Sequence, residues 1–115
     1  MQLAAILIAG AALGGITMLV IRLGGAARPP TWLALGHGAM AVCGLATLGY
    51  AAVTEDLPTI AHVALGVFVL AALGGLTIFV GFHLKRRPLP IPFVLGHGAI
   101  ALTGFILLLI AIYRG

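Results

Sequence analysis

Charge is the scarcest property of this chain. Of its 115 residues six are Lys or Arg and two are Asp or Glu, whereas 63% are hydrophobic. So little charge cannot give a water-compatible surface, and the long apolar runs between the charges are those of bilayer-spanning helices. The expected class is an integral membrane protein whose first partner is the lipid bilayer. Both acids, Glu55 and Asp56, fall in one turn, so the spans hold no Asp, Glu or Lys to drive coupled transport. Cysteine is nearly missing too. Cys43 stands alone in mid-span, which excludes an internal disulfide and any Cys-pair metal site, and it reads as a small packing residue. The net charge of +4 does not point to nucleic acid, because the basic residues lie in short connections and at one terminus, on no amphipathic face.

Four apolar runs account for most of the rest. The first, about Leu3 to Leu23, is long enough to cross ~30 Å of hydrocarbon at ~1.5 Å per residue. It has neither a basic leader nor a small-residue cleavage site, so it reads as a retained span and not as a signal peptide. Arg22, Gly24, Gly25, Arg28, Pro29 and Pro30 form a basic connection, with Thr31 as the expected cap of a second helix from about Trp32 to Val53. Thr54 to Pro58 make an acidic turn, whose carboxylates and Thr59 suit the amino end of a third helix, about Thr59 to Phe82. A second basic connection follows, with His83, Lys85, Arg86, Arg87, Pro88, Pro90 and Pro92. A fourth helix then ends near Tyr113.

The two halves are copies. A shift of 60 positions, without a gap, carries Ala11-Ala12-Leu13-Gly14-Gly15 onto Ala71-Ala72-Leu73-Gly74-Gly75 and Thr17 onto Thr77. It also carries Leu35-Gly36-His37-Gly38-Ala39 onto Leu95-Gly96-His97-Gly98-Ala99. Each copy, about 1–55 and 56–115, holds two spans and therefore keeps its orientation, which implies a pseudo-twofold axis along the membrane normal. The expected fold is an all-α integral membrane four-helix bundle, up-down-up-down, built from two parallel two-helix repeats in a single membrane domain. Arg22, Arg28, Lys85, Arg86 and Arg87 share one side, against Glu55, Asp56 and Arg114 on the other. The positive-inside rule makes the basic side cytoplasmic and puts both termini outside, in a plasma membrane of bacterial type.

The repeated Gly-His-Gly carries the functional argument. His37, Ala41, Gly44 and Leu48 share one helical face, and His97, Ala101, Gly104 and Leu108 form the same stripe. In such a bundle the second and fourth helices are diagonal, so two inward imidazoles would face each other at one depth with room between them. Thr17 and Thr77 are expected to accept the spare imidazole N–H groups. Gly14, Gly15, Gly74 and Gly75 are expected to leave space for a flat ligand or for close helix contact, beside Gly36, Gly38, Gly96 and Gly98. These features fit a bis-histidine haem b with His37 and His97 as axial ligands. Arg22, Arg28, Arg86 and Arg87 would then serve as a rim neutralising its propionates. In its four spans and its paired intramembrane histidines the chain resembles the small four-helix membrane b-type cytochromes. That resemblance implies electron transfer, with membrane quinone or a partner redox subunit at the other end.

Other readings weigh against this one. Histidines among glycines also serve as interhelical hydrogen-bond donors, so a small transporter with parallel repeats, or a non-catalytic accessory subunit of a larger complex or homo-oligomer, fits the same pattern. No catalytic residue can be assigned. His62 reads as an interfacial residue near the acidic turn, and His83 as part of the basic cluster near propionates or anionic lipid. Met40 and Cys43 diverge in angle from His37, which makes copper a minor option. With Cys43 removed, single cysteines replacing Ala26 and Arg86 should react with an impermeant thiol reagent from the cytoplasmic side alone. Reaction from outside would invert the orientation.

Overall fold

Where the connections carry proline, glycine and charge the helices stop, and the computed structural model, which describes residues 1–114, has four of them. They are α1 (Gln2–Leu23), α2 (Thr31–Thr54), α3 (Thr59–Ile78) and α4 (Ile91–Arg114), with a π-helical turn, Phe79–His83, continuing α3. There is no strand among the described residues. All four helices are long and apolar enough to cross a membrane. Large apolar side chains such as Leu13, Val20, Val42, Leu73 and Leu102 point outward along them, as a lipid-facing surface requires. Trp32 is exposed at one end, and Tyr50 and Tyr113 at the other, where amphipathic rings meet the bilayer interface.

Helix boundaries differ from the sequence expectation where local chemistry was misjudged. Thr31 is the first residue of α2 and does not cap it; the helix starts from Pro30 with no side-chain cap, and the Thr31 hydroxyl pairs instead with His83 Nε2 at 3.0 Å. α3 likewise begins after Pro58 without a side-chain cap, and no carboxylate lies in its first turn. Pro92, expected in the connection, lies in the first turn of α4, where a missing N–H costs nothing.

α1 packs most intimately along α2, and α3 along α4; the contacts of α2 with α3 and of α1 with α4 are sparser, and α2 and α4 stand across the bundle from each other. The molecule is elongated, 44 × 19 × 19 Å. Its buried core, Ala4, Ala5, Ile8, Leu48, Ala64, Phe68 and Leu108, gathers in the half that holds the acidic turn. In a bilayer, apolar side chains gain little by leaving lipid for protein, so close packing has to hold the helices, and small residues permit it. Gly44 shows the requirement: a Cβ there would lie 2.7 Å from Ile8 Cγ1 and 3.4 Å from the Ala4 carbonyl. A Cβ on its counterpart Gly104 would lie 2.9 Å from the ring of Phe68. Helix 2 and helix 4 therefore turn the expected stripe inward, since Gly44, Leu48, Gly104 and Leu108 are all buried.

Replacing Gly44 or Gly104 by Leu should separate each hairpin and lower stability by ~1–3 kcal/mol, as overpacking does. The same change at Gly49, where a Cβ would meet open space, should be nearly neutral in thermal unfolding in detergent.

Candidate functional site: a pair of facing imidazoles

Two turns from the buried Gly44 and Gly104, α2 and α4 bring His37 and His97 toward each other. The ring centroids are 6.2 Å apart and the planes nearly perpendicular, at 83°. Both side chains are half-buried. Each is held by its own hairpin. Nδ1 of His37 lies 2.6 Å from the Ala11 carbonyl of α1, and Nδ1 of His97 lies 2.8 Å from the Ala71 carbonyl of α3. A carbonyl oxygen only accepts, so the proton of each neutral ring is on Nδ1, and Nε2 is left as a lone-pair donor. This is the form in which a histidine binds a metal through Nε2, with its other nitrogen anchored by a carbonyl.

The glycines of α1 and α3 make the anchoring possible. A Cβ on Gly15 would lie 3.1 Å from Cε1 of His37, and one on Gly75 would lie 2.9 Å from Cε1 of His97. A Cβ on Gly14 or Gly74 would be an ordinary neighbour of the same rings, 3.8 and 3.9 Å from Nδ1 of His37 and His97. These four glycines thus receive the imidazoles of the neighbouring helix, a contact not among the roles expected for them. Gly36, Gly38, Gly96 and Gly98 do something else: a Cβ at any of them would meet nothing within 4 Å. They flank the histidines in sequence, and their own Cβ positions meet open space and no neighbouring helix.

Thr17 and Thr77 require a correction. Both hydroxyls donate to carbonyls of their own helices, Thr17 to Leu13 and Thr77 to Leu73, each at 2.8 Å, and both side chains are exposed. The imidazole contact expected of them is made by the main chain of Ala11 and Ala71. That acceptor could be found by asking which carbonyl faces a ring laid against a glycine, because glycine exposes the backbone that a side chain would cover. Thr77 does border a groove of about 320 Å³ on the outer face of the second hairpin, along with Gly74, Gly96 and His97.

The remaining candidates are scattered. His62 is exposed on α3. Cys43 is exposed as well, and the Met40 side chain lies against Gly10, so neither converges on His37. Among the described residues no three His, Cys, Asp or Glu side chains gather as a metal-binding group. At the basic end, Arg22 is already engaged: its Nε donates to the Leu89 carbonyl at 3.0 Å and its Nη1 to the Ala26 carbonyl at 3.5 Å. Arg86 and Arg87 are exposed beyond the π-helical turn. His83 is buried, stacked on Phe79 at 5.1 Å and paired with Thr31.

Comparison of the chain with known protein families, with curated proteins and with solved structures found no match.

Nitrogen NMR of histidine-labelled protein should show the Nδ1–H tautomer at both His37 and His97, the minority form in water. Gly75→Val, which drives a side chain into the His97 ring, should abolish that signature at His97 and leave His37 unchanged. Gly96→Val should alter neither.

Proposed function

We propose that the chain is a membrane b-type cytochrome that holds one haem b between His37 and His97 and transfers electrons, with membrane quinone or a partner redox subunit as its exchange partner. The observation that carries this reading is the pair of Nδ1–H···O=C bonds, which leave two Nε2 lone pairs on rings 6.2 Å apart. A metal ion held by one Nε2 from each ring would fit within such a separation. The donor set also favours a macrocycle over a bare ion. Two imidazoles leave a metal short of the four protein ligands that a closed site needs, whereas a porphyrin brings its own four nitrogens.

When bound, haem supplies one-electron redox chemistry. The chain's own part is to orient and anchor both imidazoles through Nδ1, and to exclude water by placing them between apolar helices. Carbonyl acceptance from Nδ1–H raises the basicity of each Nε2. Lys85, Arg86 and Arg87, exposed at the basic end, offer counter-charges for propionates. Arg22, already bonded to two carbonyls, is less free to do so. In this reading the helices run up-down-up-down as two parallel repeats, with the basic connections cytoplasmic and both termini outside.

The visible spectrum of protein purified from haem-replete membranes decides the matter. A low-spin bis-histidine spectrum is expected. His37→Ala and His97→Ala should each lose haem or give a five-coordinate, high-spin spectrum, and His62→Ala should leave it unchanged. No Soret band in the wild type, or a bis-histidine spectrum that survives both changes, would remove the cytochrome reading and leave the imidazoles as hydrogen-bonded packing elements of a transporter or accessory subunit.

A further inference from the structure

The basic end of the bundle is built as a platform. Two connections far apart in sequence are stitched together there: Arg22 Nε donates to the Leu89 carbonyl, the Leu89 amide donates to the Ala27 carbonyl at 3.0 Å, and His83 pairs with Thr31. Pro29, His83 and Leu89 are buried within this layer. The last helical turn of α3 widens to π geometry, with Leu84 N bonded to Phe79 O at 2.9 Å, and the chain closes through Arg86 in the left-handed region, at φ 54. Lys85, Arg86 and Arg87 are thereby displayed outward beside it.

Two features of the platform lack an internal explanation. It carries Arg22, Arg28, Lys85, Arg86 and Arg87, whereas the two acids of the chain, Glu55 and Asp56, lie at the opposite end of the helices, so no carboxylate neutralises it. Within it, Nε of Arg28 is buried with no hydrogen-bond partner, close enough to His83 for the two to interact electrostatically. A buried guanidinium donor without an acceptor is costly. Arg28 as a whole is only half-buried, so the rest of its guanidinium, beyond the enclosed Nε, remains open to an acceptor from outside.

We propose that this platform is a binding site for the phosphate of an anionic phospholipid, with Arg28 as the principal ligand and Lys85, Arg86 and Arg87 supplying the surrounding positive field. Depth selects the lipid. The layer lies at the ends of four spanning helices, where headgroup phosphates are concentrated and a rigid, planar guanidinium matches phosphate geometry. Arg22 acts differently, because its bonds to Leu89 and Ala26 hold the two connections in register. The proposal does not require haem, although Lys85, Arg86 and Arg87 are the same cations offered to propionates in the cytochrome reading, and it concerns the other end of α2 from the packed core.

The test uses the full chain in detergent, exposed to phosphatidylglycerol, to phosphatidylcholine or to inorganic phosphate, with retained lipid counted by native mass spectrometry and the Soret band recorded on the same samples. Phosphatidylglycerol should be retained and phosphatidylcholine lost. Arg28→Gln should weaken that retention about tenfold, the loss of one charge-assisted hydrogen bond. Arg28→Lys, which keeps the charge and guards against a folding defect, should weaken it less. Arg114→Gln, at the opposite end, should have no effect. Equal retention of the two lipids, or wild-type retention in Arg28→Gln, overturns the proposal. Displacement of phosphatidylglycerol by millimolar inorganic phosphate would reassign the site to a free anion. An Arg28→Gln effect on the Soret band with unchanged lipid retention would reassign Arg28 to a propionate. Loss of haem in the histidine variants with lipid retention intact separates this inference from the cytochrome reading.

Discussion

Inside a bilayer a polar side chain has no water to fall back on, and that constraint shapes everything around His37 and His97. Each ring needs an acceptor from protein, and helix main chain is the nearest source, but side chains normally screen it. Gly14 and Gly15, and again Gly74 and Gly75, strip the screen away and let the ring lie against α1 or α3. The hydrogen bond that results joins the two helices of each hairpin and fixes the tautomer at the same time. One contact therefore both packs each hairpin and sets the tautomer of its ring, and the glycine pairs and the histidines that make it recur together 60 residues apart.

Much of the architecture was legible because the bilayer limits the options. Charge scarcity and run length implied four spans, and proline and glycine marked their ends to within a residue or two at most boundaries. The inward stripe below each histidine was legible from helical periodicity alone, and Gly44, Leu48, Gly104 and Leu108 are buried as it requires. Most of the misjudged details were hydrogen-bond partners. Thr17, Thr31 and Thr77 have hydroxyls that can serve a cap, a ring or their own helix. The choice depends on side-chain direction, which spacing does not reveal: Thr17 and Thr77 point outward and bond back four residues, while Thr31 meets His83. The π-helical turn at Phe79–His83 was equally hidden, since a register change of one residue leaves no mark on composition.

The two ends of the bundle solve different problems. At the acidic end, alanines and glycines bring helices close and the core is continuous. At the basic end, hydrogen bonds between connections replace apolar packing, and Leu89 and Pro29 are the buried apolar residues there. The histidines lie between these regimes, against a rigid floor and below a stitched lid of loops.

The unequal packing of the four helices bears on the order of assembly. α1 with α2, and α3 with α4, form the intimate pairs, and each imidazole is secured within its own pair; contact between the pairs is sparser. Each hairpin can therefore mature as a separate unit in the membrane, complete with a correctly poised ring, before it meets the other. The sparser contact between the pairs is what brings the two imidazoles to within 6.2 Å of each other, so their separation depends on how the finished hairpins meet and not on how either one folds.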